Sequence, residues 1–315
     1  MQTKLNETIQ LGDPVEHQGV AVAPLFPRRE PVAEYLTLEE AIPLGLVVRE
    51  VDAAGSVPEL LVMNPLEANV LLYDGEELVG AKQNRILNVT VLVPGQSETR
   101  IPVSCVEEGR WSARSASFAT ARHASYPDLR RRKAEALSVD PLAPGLAQGE
   151  VWDEMRSKVE RLEASAPTGA QADVFRSRDA DLASLRSVFP LVPGQCGAIL
   201  SLGPNQLVLD YVSRPDAFVR LYPKLLEGYL LDGLEYLGAE PTAAEILESF
   251  LERAEEAPRS RRRSAGLGDD LRLRGDDVIG SGLEVDSELV QLCVFSTRQR
   301  NSRTWSRVGR PSRRR

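Results

Sequence analysis

Short apolar runs broken by glycine, proline and Asp-Gly or Pro-Gly pairs fill residues 15–106 and return over 194–295, while helical spacing dominates between Glu108 and Pro190. Strand blocks flanking a helical block constrain the fold more than any single motif does. They predict an α+β chain in which antiparallel β-sheets, arranged like a sandwich, are surrounded by helices. The expected division is an N-terminal segment over 1–14, one α+β domain over 15–296 and a disordered Arg-rich tail over 297–315.

Local signals set the expected elements. Thr37-Leu38-Glu39-Glu40 is a capping box opening a helix that stops near Gly45, and Thr242-Ala243-Ala244-Glu245 is a second one. Pro215 suits the first turn of a long helix. Asp74-Gly75 predicts a two-residue hairpin joining 69–73 to 76–79. A second hairpin is expected to join Ile86–Val93 to Thr99–Cys105 across Pro94-Gly95, with paired residue numbers summing to 192. In that register Arg85 lies opposite Glu107, the expected partner of a guanidinium on a mostly apolar face. Residues 110–126 read as a Ser-rich loop, 150–164 and 173–187 as helices, 198–212 as a hairpin, Arg259–Arg263 as a charged linker, and 278–285 and 289–295 as strands joined at Asp286-Ser287.

Several classes of function are excluded. With 315 residues and 42% hydrophobic content the chain can bury a core, yet no stretch nears the ~18 apolar residues of a membrane span. The first ten residues lack the apolar region of a secretory signal. Cys105, Cys196 and Cys293 are far apart, and His17 and His123 are the only histidines, so no disulfide framework or Cys/His metal spacing exists. Only an oxygen-ligand site, for Mg or Ca, stays open. These features together read as a soluble, cytoplasmic protein. Phosphate loops of the G-x-x-x-x-G-K-[ST] and G-x-G-x-x-G kinds are missing, as is a G-x-S-x-G elbow. Cys105 reads as a packed thiol and Cys196 as inert.

What remains is Asp74-Gly75-Glu76-Glu77-Leu78-Val79-Gly80-Ala81-Lys82-Gln83-Asn84-Arg85. Such density of polar groups on a loop held by a sheet suits recognition of a polar ligand. Lys82 and Arg85 can hold phosphate or carboxylate oxygens, with the amides Gln83 and Asn84 beside them. Glu76 or Glu77 can serve as a base or as an oxygen ligand for Mg. The plainer reading makes Asp74 a turn former, the glutamates solvated strand residues, and Arg85 with Glu107 a structural ion pair. Trp111 can cover a base or sugar at the mouth of the loop, or belong to the core.

The stretches DGEELVGAKQNR, PVSCVEEGRW, QGEVWDE, PTGAQADVF, GQCGAI and RLYPKLLEGY resemble the domain named for its association with ADP-ribosylglycohydrolase and rhodanese-phosphatase superfamily proteins, over roughly residues 15 to 296. The resemblance implies a place near NAD or ADP-ribose metabolism, and partner enzymes of the ADP-ribosylglycohydrolase or phosphatase type. Its motif positions here are Asp74, Glu76, Glu77, Lys82, Gln83, Asn84, Arg85, Cys105, Glu107, Arg110 and Trp111. On this basis Glu76, Glu77 and Glu107 are the expected acid or base groups. Asp74, Lys82, Gln83, Asn84, Arg85, Arg110 and Trp111 are the expected contacts to a small phosphorylated ligand such as a nucleotide-sugar. A non-catalytic scaffold that recruits a partner enzyme is the alternative.

Charge is split along the chain. Residues 296–315 carry eight arginines and no acid, which leaves a formal −16 on the rest. The acidic body argues against nucleic acid as the main ligand, and only the tail suits one. The tail can otherwise be solvated, or fold back on the acidic body.

Overall fold

The computed structural model describes residues 4–52, 58–110, 112, 114–139, 144–204, 206–240 and 242–297; Trp111 and the Arg-rich tail lie outside the described residues. In chain order the strands are β1 (Ile9–Leu11), β2 (Val15–His17), β3 (Val20–Pro27), β4 (Leu36–Thr37), β5 (Val47–Glu50), β6 (Glu59–Asn64), β7 (Val70–Leu72), β8 (Glu76–Gly80), β9 (Arg85–Leu87), β10 (Val91–Val93), β11 (Ser97–Cys105), β12 (Phe118–Ala124), β13 (Gly197–Leu202), β14 (Gln206–Val212), β15 (Arg259–Arg263), β16 (Asp269–Arg274), β17 (Val278–Val285) and β18 (Glu288–Ser296). The helices are α1 (Leu5–Thr8), α2 (Leu38–Ala41), α3 (Pro127–Val139), α4 (Pro144–Arg161), α5 (Gln171–Ser177), α6 (Asp179–Arg186), α7 (Pro215–Gly233) and α8 (Ala244–Glu256). The class is α+β, and among the described strands pairing is antiparallel everywhere except β4 against β7.

The largest sheet runs β1-β3-β13-β14-β18-β17-β16-β15, with β2 also on β3. Its central strands are apolar on both faces because both are covered. Val22, Leu200 and Val208 pack with Phe218, Leu221 and Tyr229 of α7, while Ala23, Ile199 and Leu209 pack with Leu247, Phe250 and Ala254 of α8. Period-two alternation along the strands thus feeds two separate cores. A third core lies between a six-stranded sheet, β12-β8-β9-β11-β6-β5, and a three-stranded one, β10-β7-β4. Leu5 and Ile9, in the expected 1–14 segment, are buried against the large sheet.

Helix α3 pins the sheets together through charge. Arg130 reaches both Asp210 oxygens on β14, at 2.8 and 2.5 Å, and Tyr73 and Tyr229 each donate to the same carboxylate at 2.6 Å. One turn on, Lys133 bonds Asp74 and the Leu87 carbonyl beside the smaller sheets. All four charged groups are at most 1% exposed. Buried charges persist only when paired in this way.

Several local expectations are corrected. Residues 69–79 do not form a hairpin: Asp74-Gly75 turns the chain, with Gly75 at φ +83°, but β7 pairs with β10 and β4, and β8 with β9 and β12. The turn signal fixes a reversal, not the partner, and strands buried on both faces have more than one apolar surface to offer. Residues 86–93 likewise split, β9 joining β11 while β10 leaves for β7, and the pairs Val103–Leu87 and Cys105–Arg85 sum to 190. A shift of two keeps every side chain on its face but moves Arg85 from Glu107 to Cys105. Thr242 does not cap α8; its hydroxyl donates to the Gly203 carbonyl, and Ala243 is the N-cap. Arg259–Arg263 is an edge strand, its charge met by Asp270 opposite Arg262 on β16 and by Glu284 of β17, which Arg261 reaches across β16. The 173–187 helix is two helices meeting at Arg178, and residues 118–124, expected within a loop, form β12. The Thr37 capping box, the helix from Pro215, the 198–212 hairpin and the turn at Asp286-Ser287 are as expected.

Candidate functional site

Adjacent residues on a strand face opposite ways, and this separates the two glutamates of β8. Glu76 turns toward α7, accepting from Lys224 at 3.1 Å and from the Tyr73 amide at 2.9 Å. Glu77 turns the other way, into a polar cluster where three of the motifs quoted above meet. Its Oε1 accepts from Asn84 Nδ2 at 2.9 Å, and its Oε2 accepts from Gln171 Nε2 at 2.6 Å and lies 2.7 Å from His123 Nε2. Glu77 is 1% exposed and Gln171 fully buried.

Three features of the chain build this arrangement. The β8–β9 turn carries Lys82, Gln83 and Asn84, and Ala81 takes a positive φ of 39° to close it. Strand β12 pairs with β8 in one register up to Thr120 and in another at Ala124, so an irregularity between them re-aims His123 at Glu77. The start of α5 is fastened to the end of β11, where Glu107 bridges Ala170 and the Gln171 amide donates to the Val106 carbonyl at 2.9 Å. Phe175 of α5 then stacks on the His123 ring, centroids 3.8 Å apart.

Around this centre the remaining polar groups brace the turn. Glu107 accepts from Arg110 at 2.6 Å and from the Asn84 amide at 3.2 Å. Arg110 also donates to the carbonyls of Ala81 (2.7 Å), Ser112 (2.8 Å) and Gly80 (3.2 Å). Gln83 donates to the Glu107 carbonyl and accepts from Arg85, both at 2.8 Å. The expected Arg85–Glu107 pair is therefore replaced. Arg85 donates to Cys105 Sγ at 2.8 Å and faces Glu50 at 3.9 Å, while Glu107 belongs to Arg110. Burial pushes the Cys105 thiol up even with Arg85 beside it, and burial pushes Cys196 up to about 12. Both read as packed thiols rather than nucleophiles.

Of the expected site residues, Glu77, Gln83, Asn84, Arg85, Glu107 and Arg110 come together, with Lys82 half-buried on the same turn. Glu76 lies on the opposite face. Asp74 lies under α3, bonded to Lys133, with Cys293 Sγ 3.6 Å from its other oxygen. His123, Gln171 and Phe175 are not among the expected residues. Gln171 and Phe175 stand in the PTGAQADVF stretch, which is a usable signal; His123 has none, because its partner is reached only through the irregularity in β12.

Glu76 and Glu77, facing apart, do not jointly offer a cation site. Among the described residues, Asp128, Asp232 and Glu235 form the group of three acidic side chains close enough to share an ion. There Lys158 already supplies the cation, bonding Asp232 at 2.5 Å and Glu235 closer still.

The 2.7 Å contact suits the tautomer with the His123 proton on Nε2, which donates to Glu77 Oε2, because a carboxylate without a proton only accepts hydrogen bonds. Nδ1 has no hydrogen-bonding partner among the described residues. A carboxylate, an oriented imidazole and an open ring nitrogen make a unit that can accept or deliver a proton. No helix among the described residues is long and apolar enough to cross a membrane. Comparisons with curated proteins and with solved structures give no match. The model of the ARG and Rhodanese-Phosphatase-superfamily-associated Protein domain matches residues 8–295, and with that span covered, the chain belongs to this family.

Proposed function

We propose that the protein binds and processes a small phosphorylated nucleotide-sugar of the ADP-ribose kind beside Glu77, His123 and Gln171. The carrying observation is the 2.7 Å contact of Glu77 with His123 Nε2, with no partner for Nδ1 among the described residues. In this reading His123 is the proton acceptor for an attacking water or hydroxyl, and Glu77 fixes its tautomer, as in other carboxylate–imidazole pairs. Lys82, on the adjacent turn, supplies charge for phosphate oxygens. The family's name, with its association to ADP-ribosylglycohydrolase-related systems, supports the choice of ligand.

The test is a thermal-shift panel with ADP-ribose, NAD, AMP and ribose phosphate, with and without Mg, on wild-type, H123A and K82A. Ligand at 100 times its Kd adds about 2.7 kcal/mol to stability. The expected result is a shift for ADP-ribose that weakens in K82A, with turnover lost in H123A while binding persists. No shift with any of the four compounds would refute the reading. One observation favours the alternative of a non-catalytic scaffold for a partner enzyme: Arg110 and Gln83 direct their donors at backbone carbonyls, as bracing groups do. On that alternative R110A lowers Tm and leaves every ligand response unchanged.

A further inference from the structure

Helix α8 buries Leu247, Phe250 and Ala254 against the large sheet, and so turns a stripe of Glu245, Glu248, Glu252 and Glu256 to solvent. These four fall at spacings of three and four residues, on one side of the helix. None has an ion-pair partner among the described residues. Like charges at this spacing oppose the helix. Beside the stripe is a groove whose lining includes Pro204, Leu207, Glu245, Ile246 and Ser296, together with Arg253, whose charge is met by Asp277 at 3.4 Å. Ile246 is 37% exposed there, a large apolar side chain left uncovered.

The chain leaves the fold at this groove. Ser296 ends β18, and the Thr297 amide donates to the Asp277 carbonyl at 2.8 Å. The sequence continues with residues 298–315, which hold eight arginines, no acid, and Trp305 and Val308 as their large apolar residues. Extended, this length reaches about 60 Å, whereas the glutamate stripe is about 17 Å long. Reach, sign of charge and apolar content all match.

We infer that residues 298–315 dock along α8, with arginines on the Glu245–Glu256 stripe and an apolar residue in the Ile246 groove. This surface lies apart from the Glu77–His123 cluster and does not depend on the function proposed for it. Docking masks a strongly basic segment, so nucleic acid or another polyanion must compete with α8 for it, and the competition weakens with salt.

The test uses the full 315-residue chain with R303K and R310K, which keep the charge and add amines for carbodiimide coupling to carboxylates. Mass spectrometry should place the intrachain cross-links on Glu245, Glu248, Glu252 or Glu256. Their yield should fall roughly tenfold at about 0.5 M salt, where the Debye length shrinks to about 4 Å. In parallel, a labelled single-stranded oligonucleotide is titrated by fluorescence anisotropy into wild-type and into E245Q/E248Q/E252Q/E256Q, whose folding is checked by circular dichroism. Masking predicts several-fold tighter binding by the quadruple variant. Cross-links scattered over other acids, cross-links formed chiefly between chains, or equal oligonucleotide affinities would each overturn the inference.

Discussion

Replacing Glu77 by glutamine tests whether the cluster is organised around a carboxylate. The substitution preserves shape but turns one acceptor oxygen into a donor. If the new amide points at Oε2's place, it faces two donors, Gln171 Nε2 and His123 Nε2. If it points at Oε1's place, Asn84 must flip, and Asn84 Oδ1 already accepts from the Gly80 amide at 3.3 Å and from Arg110 at 3.2 Å. Hydrogen bonds to a charged group contribute roughly 1.5–3 kcal/mol each, and leaving a buried donor unsatisfied costs about 1–3 kcal/mol. Because three donors converge on Glu77, the net loss should be about 3–5 kcal/mol. At about 2–4 °C per kcal/mol for a large domain, Tm should fall by roughly 6–20 °C. Urea unfolding gives the free energy. Nitrogen-15 NMR of the imidazoles, simple in a chain with two histidines, gives the tautomer. In wild-type the His123 proton should sit on Nε2, and in E77Q that preference should disappear. A loss under about 1 kcal/mol, or an unchanged His123 spectrum, would refute the reasoning.

Three further outcomes concern the buried charges. R130M leaves the Asp210 carboxylate with only its two tyrosine donors and should cost about 3–5 kcal/mol in urea unfolding, while R130M/D210N, which removes the unpaired charge and keeps an acceptor for a tyrosine hydroxyl, should recover part of it; a double variant as unstable as the single one would contradict this account. Burial pushes the Asp232 carboxyl from its ordinary 3.8 up to about 7, so between those values the folded protein keeps a proton that the unfolded chain releases. Stability therefore falls as pH rises through this window, by up to about 1.4 kcal/mol per unit, and D232N should remove that slope; parallel wild-type and D232N curves would exclude the mechanism. In G75A the new methyl meets Arg130 Cδ at 2.7 Å on a backbone of φ +83°, so Tm should drop by several degrees, and an unchanged Tm would show that the Arg130–Asp210 fork can shift freely.

The sequence by itself determined whatever depends on near neighbours. The capping box at Thr37, the proline at the start of α7, the Asp286-Ser287 turn and the α+β class are all written in local propensity and period-two or helical spacing. So is the concentration of candidate residues on Lys82–Arg85, since a dense polar turn between strands is visible in any single sequence. Partner choice was decided elsewhere. Strands such as β7 and β10, apolar on both faces, carry no mark of which neighbour they join, and the pairing of 86–93 divided between two sheets once all three cores were filled. Arg85 and Glu107 took different partners after a register shift of two, which alternation cannot detect because it leaves every face unchanged. Glu77 met His123 and Gln171 across sequence separations of 46 and 94 residues, through an irregular β12 and the docking of α5 on β11. Contacts of that range depend on how the sheets and helices pack as a whole, and only the folded chain specifies them.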